Sequence, residues 1–168
     1  MILQNTNETR VGISDYKISY APNKIMTVGL GSCIGTIVYD PVSKIGGLSH
    51  IMLPDSKPFE KNGTSGLNLA KYANTALPLM VKELKQKAPR AKFQAKISGG
   101  ANMFGFKNNL TTANIGQRNV DAVLNQLASL QIPLVGQDTG GSSGRTMVVD
   151  LNDFSTLIRV VRQENRYI

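Results

Sequence analysis

Apolar residues in the first third of the chain fall into four short runs, residues 17–20, 25–30, 34–39 and 46–52, each of strand length and composition. Asp40-Pro41 marks a turn between the third run and the fourth, because proline fixes φ and cannot continue a central ladder. Residues 57–65, with Pro58 and Gly63, read as a loop. The spacing then changes. Leu69, Ala73, Ala76, Leu77, Met80, Val81 and Leu84 recur every three or four positions, which predicts a helix over 67–87 with a kink at Pro78. Residues 92–97 predict a strand ending at Ser98-Gly99-Gly100.

A second helix is predicted to start after Asn114, with Gln117 completing a capping box. Its apolar stripe is Val120, Val123, Leu124, Leu127 and Leu130, and Pro133 bars its continuation. Residues 134–137, 145–150 and 157–161 complete the chain as strands, and the polar first ten residues are expected to fray. Strands dominate, and two main helices interrupt them without a regular βαβ alternation. The expected fold is α+β, one layered domain over residues 1–168 with mixed or antiparallel sheets.

Composition narrows the function classes. With 41% hydrophobic and 18% charged residues in 168, the chain can build a core, an aliphatic one since there is no Trp. A net charge of +8 raises the question of an acidic partner. The Lys and Arg residues are scattered, and no aromatic-plus-basic motif or zinc knuckle accompanies them, so nucleic-acid binding is not expected. A basic surface suits an acidic protein partner equally well. No apolar stretch approaches the roughly 18 residues that cross a bilayer, and the start lacks a signal-peptide pattern. With a single Cys no internal disulfide can form, which points to a reducing, cytoplasmic setting.

One Cys and one His are too few for a structural zinc site, and no Asp/Glu cluster suggests another metal or a cofactor. If cysteine chemistry with an imidazole base occurs, the pair is Cys33 and His50. Cys33 lies in Thr27-Val28-Gly29-Leu30-Gly31-Ser32-Cys33-Ile34-Gly35, which is neither a dinucleotide fingerprint nor a phosphate loop. The Gly-x-Cys-x-Gly pattern resembles a nucleophile elbow, but a strand follows it where the elbow needs a helix. Glycines on both sides of Ser32-Cys33 leave room for a substrate. They also let N–H groups near Gly31 and Ser32 face an oxyanion. If the third and fourth strands pair as a hairpin, Cys33 and His50 become neighbours. A lone Cys in an apolar run is also how a small core residue reads, and spacing alone leaves both readings standing.

Several separated blocks resemble the CheD family of chemoreceptor glutamine deamidases. They are the Cys33 segment above, Tyr39-Asp40-Pro41 and Gly46-Gly47-Leu48-Ser49-His50-Ile51-Met52-Leu53-Pro54. Further on come Tyr72-Ala73-Asn74-Thr75-Ala76-Leu77-Pro78, Gly99-Gly100-Ala101-Asn102-Met103-Phe104, Ile115-Gly116-Gln117-Arg118-Asn119-Val120 and Asp138-Thr139-Gly140-Gly141-Ser142-Ser143-Gly144-Arg145-Thr146. The resemblance implies a Cys-His-Thr triad at Cys33, His50 and Thr27, with a glutamine side chain of a methyl-accepting chemotaxis receptor as substrate. It also implies a second role, binding the chemotaxis phosphatase CheC. The alternative function is therefore a regulatory adaptor in which catalysis is secondary. For the remaining motifs the simpler readings are a flexible turn at 140–144, a strand-to-loop turn at 98–100, and ion-pair roles for Arg118 and Arg145. Phe104 and Phe106 read as either core or a partner-contact patch.

Overall fold

The computed structural model describes residues 6–103 and 114–168, so Phe104 and Phe106 lie outside the described residues. In chain order the strands are β1 (Glu8–Arg10), β2 (Asp15–Tyr20), β3 (Lys24–Leu30), β4 (Ile34–Asp40) and β5 (Ile45–Ile51), then β6 (Gln94–Gly99), β7 (Leu134–Thr139), β8 (Arg145–Asp150), β9 (Thr156–Val160) and β10 (Arg166–Tyr167). The helices are α1 (Ala73–Lys87) and α2 (Ile115–Ser129).

Two mixed sheets form, in the order β1-β3-β8-β9-β10 and β2-β5-β4-β6-β7. The expected α+β class is what the structure has. β4 and β5 sit inside the second sheet and are buried at every position, so they carry no polar-out alternation. One face packs on the first sheet through Ile37, Tyr39, Leu48, Met147, Val149 and Ile158. The other packs on the helices through Ile34, Ile51, Leu77, Met80, Val123 and Leu127. The result is sheet, sheet, helix layer, with two cores divided by the second sheet.

The hairpin hypothesis holds: β4 and β5 pair antiparallel, with Ile34 opposite Ile51 and Gly35 opposite His50. Asp40 closes their turn by accepting from the Val42 and Ser43 N–H groups and the Ser43 hydroxyl. Two glycines let the hairpin be covered on both faces. A Cβ at Gly47 would lie 2.9 Å from the Met80 sulfur of α1, and one at Gly46 would lie 3.2 Å from Ile37 and Leu151.

Four expectations need correction. Glu8–Arg10, expected to fray, pairs parallel with β3, and Val11 beyond it is buried, because an apolar residue there closes the inter-sheet core. The first helix begins at Ala73 rather than 67, since Leu69–Lys71 is a separate 3-10 turn capped by the Asn68 side chain; the helix runs through Pro78 as one element. No capping box forms at Asn114, which takes a left-handed conformation with φ 59° and no side-chain cap. Gln117 instead donates to Asp121 one turn on, at 2.9 Å. Finally, β10 pairs with β9 in a tail the sequence pattern did not reveal.

Candidate active site

β3 belongs to one sheet and β4 to the other, and only Gly31, Ser32 and Cys33 connect them. The crossing is prepared by an irregularity in the β3–β8 register between Thr27 and Leu30, where Gly29 has φ +73°. Glycine is suited to that left-handed angle. Gly31 follows with its N–H on the Gly29 carbonyl at 3.1 Å. Cys33 thus sits in the crossover, 7% exposed, at the margin of the inter-sheet core.

His50 comes from β5 and Thr27 from β3, so each sheet supplies one residue. Thr27 Oγ1 lies 2.7 Å from His50 Nδ1, and both residues are almost fully buried. Because Gly35 is opposite His50, and strand side chains alternate, Cys33 lies diagonally from His50 on the same face, a separation of roughly 7 Å between Cβ atoms in a regular ladder. Gly35 has little room for a side chain. A Cβ there would lie 3.0 Å from Leu30 and from the Met147 sulfur and 3.4 Å from the Thr27 methyl. Thr27 and His50 thus meet across the gap between the sheets, and the register puts Cys33 on the His50 face of the second sheet.

Hydrogen bonding fixes the proton positions. The Thr27 hydroxyl donates to the Val11 carbonyl at 2.8 Å. Its single proton being engaged, its oxygen accepts from His50, which places the imidazole proton on Nδ1. Nε2 is then the free lone pair; it is buried and has no partner among the described residues. A buried orphan acceptor is costly, by about 1–3 kcal/mol, and uncommon outside working sites.

Burial sets the charge state. It pushes the Cys33 thiol above its ordinary value of 9.0, opposed by a weaker bond from the residue's own backbone N–H. It also holds His50 below the ordinary 6.5. Both shifts favour the neutral forms.

Neighbouring segments hold the crossover in place. The Cys33 carbonyl accepts from Gly100 N–H at 3.0 Å and the Gly31 carbonyl from Ala101 N–H at 2.8 Å. Gly99, the last residue of β6, has φ +116°, and a Cβ there would fall 2.1 Å from the Cys33 oxygen. The 98–100 turn is thus the bed on which the Cys33 loop rests, a role its sequence does not announce. Gly31, expected among the oxyanion donors, already uses its N–H on Gly29; Ser32 stays half-buried in the crossover. The N–H nearest the sulfur along the chain is that of Cys33 itself.

Residues 142–144 border a cleft of about 410 Å³ with Gly29, Met103, Thr146 and Arg159, next to the crossover. Arg145 bonds Asp138, which also pairs with Arg166, so the ion-pair reading of Arg145 fits; Arg118 is exposed. No described helix is long and apolar enough to cross a membrane.

Residues 52–160 match the family model described as CheD chemotactic sensory transduction, which puts this α+β fold among proteins of chemotactic signalling. The chain belongs to the CheD family. It is 46% identical over 160 residues to a probable chemoreceptor glutamine deamidase CheD of Clostridium botulinum, covering 95% of this chain and 96% of that one. A protein of the same description from Clostridium acetobutylicum is 45% identical over 159 residues, covering 94% and 93%. One from Desulforamulus reducens is 44% identical over 155, covering 92% and 91%. The family-model match begins after Thr27, Cys33 and His50 and does not cover them.

Proposed function

We propose that this protein is a cytoplasmic protein-glutamine deamidase that converts glutamines of chemotaxis receptors to glutamates through Cys33, His50 and Thr27. The observation that carries this reading is the Val11–Thr27–His50 chain, which leaves His50 Nε2 a lone pair with no partner among the described residues. The near-full-length relatives supply the substrate class, because their descriptions name chemoreceptor glutamine deamidation.

Nε2 takes the thiol proton as sulfur attacks the carboxamide carbon. The carbonyl π electrons move to oxygen, and the Cys33 N–H holds that oxyanion. Collapse breaks the C–N bond, with the imidazolium returning its proton to nitrogen so that ammonia leaves rather than an amide anion. Water then adds to the thioester with His50 again as base, and glutamate and the thiol are released. Thr27 keeps the proton on Nδ1 throughout. Being neutral, it stabilises the imidazolium less than a carboxylate would, and turnover is expected to be modest.

Ammonia release from receptor fragments should vanish in Cys33→Ala while the thermal transition stays within a few degrees; release at the wild-type rate would refute the thiol mechanism. The family resemblance adds the phosphatase CheC as a binding partner, and that binding should survive in Cys33→Ala.

A further inference from the structure

Asn119 is fully buried on α2 and far in sequence from the triad, yet its amide reaches both arms of the site. Nδ2 donates to the Ser32 carbonyl at 2.9 Å and to the Met52 carbonyl at 3.0 Å. Ser32 immediately precedes Cys33, and Met52 follows His50 by two residues. The side-chain oxygen is buried without a partner among the described residues. The two protons of one planar amide therefore tie the crossover to the end of the histidine strand.

We propose that Asn119 is a positioning residue that aims the Cys33 backbone N–H at the oxyanion. This rests on the thiol mechanism above. In a trans peptide the C=O and the following N–H point in opposite directions. Drawing the Ser32 carbonyl toward α2 therefore turns the Cys33 N–H away from the helix. Three successive carbonyls of the crossover are anchored: Gly31 by Ala101 N–H, Ser32 by Asn119, and Cys33 by Gly100 N–H. Two of these anchors are backbone; the one that sets the peptide before the nucleophile is a side chain. The helix is close enough because Gly116 has no Cβ, which would lie 2.5 Å from the Gly100 and Ala101 carbonyl oxygens. α2 thus rests on the same segment that anchors the other two carbonyls.

The test compares two reactions of one sulfur. Deamidation needs the oxyanion donor, whereas alkylation by iodoacetamide forms no oxyanion. Asn119→Leu, close to isosteric but without donors, should lower kcat for receptor-fragment deamidation by roughly 10- to 100-fold, toward the loss seen when an oxyanion donor is removed. KM and the Cys33 alkylation rate should stay within about threefold. Asn119→Ser, which keeps one donor, should lie between. Unchanged kcat would overturn the proposal, as would an alkylation rate that falls in step with kcat, the mark of a mere structural prop.

Should neither variant fold, the wild-type protein still decides by NMR with a receptor peptide carrying an aldehyde in place of the carboxamide. The thiol adds across the C=O to give a hemithioacetal, with sulfur bonded to carbon and the proton on oxygen. The Cys33 amide proton and the Asn119 side-chain protons should shift together; a shift of neither, or of only one, would overturn the assignment. Cys33→Ala assayed in parallel separates the two levels, since its retained deamidation would sink the thiol mechanism rather than the role of Asn119.

Discussion

Thr27 has one hydroxyl proton, and the Val11 carbonyl at 2.8 Å takes it. Everything about the imidazole follows from that, because an oxygen with no proton left can only accept from His50 Nδ1. Thr27→Val keeps the shape and removes both bonds. It should lower kcat by about 100-fold, with Thr27→Ser restoring much of the loss, and ammonia release measures both. The pH profile has a definite sign. In the proposed mechanism His50 is a base only when neutral, and burial holds its pKa below 6.5, so activity should rise with pH through a midpoint below 6.5. Cys33 is displaced above 9.0, so the pH dependence of its alkylation should have its midpoint above that value. A thiol titrating well below 9.0 would mean a standing thiolate–imidazolium pair instead. The candidates at this scale could be named in advance, since one Cys and one His leave one possible pair. The charge state was not, because desolvation is set by residues from other strands.

The β4–β5 hairpin brings Cys33 and His50 to one face, and it was legible because two apolar runs flank Asp40-Pro41. The supports of the crossover were not. Gly99, Gly100 and Asn119 act on a segment more than 60 residues away, and such pairings leave no local pattern in the chain. Gly99→Ala is the sharpest probe of that bed. Its Cβ would overlap the Cys33 oxygen at 2.1 Å on a backbone with φ +116°, so a loss of about 3 kcal/mol or more is expected in urea unfolding. β1 escaped notice for a related reason. Its residues are polar, and only Val11 after it shows why the strand docks. Deleting residues 1–11 should reduce kcat about as much as Thr27→Val, because the Val11 carbonyl orients the Thr27 hydroxyl.

For the whole molecule, the sheet–sheet–helix layering explains why the site lies where it does. The chain changes sheets at Gly31 to Cys33, Thr27 and His50 face each other across the gap, and α2 closes over the crossover from the other side. The α+β class was legible from strand number and irregular order, but the division into two sheets depends on pairings between distant segments. The net charge of +8 belongs to this scale too. If it helps gather an acidic receptor surface, raising salt from about 50 to 500 mM should raise KM and leave kcat nearly constant, as screening shortens the reach of surface charge. Mass spectrometry of chemoreceptor fragments incubated with wild-type protein and with Cys33→Ala bears on the chemistry most directly. Conversion of specific glutamines to glutamates by the wild type, with none by Cys33→Ala, is the expected result. Equal conversion by both proteins would contradict the assignment of Cys33 as the nucleophile.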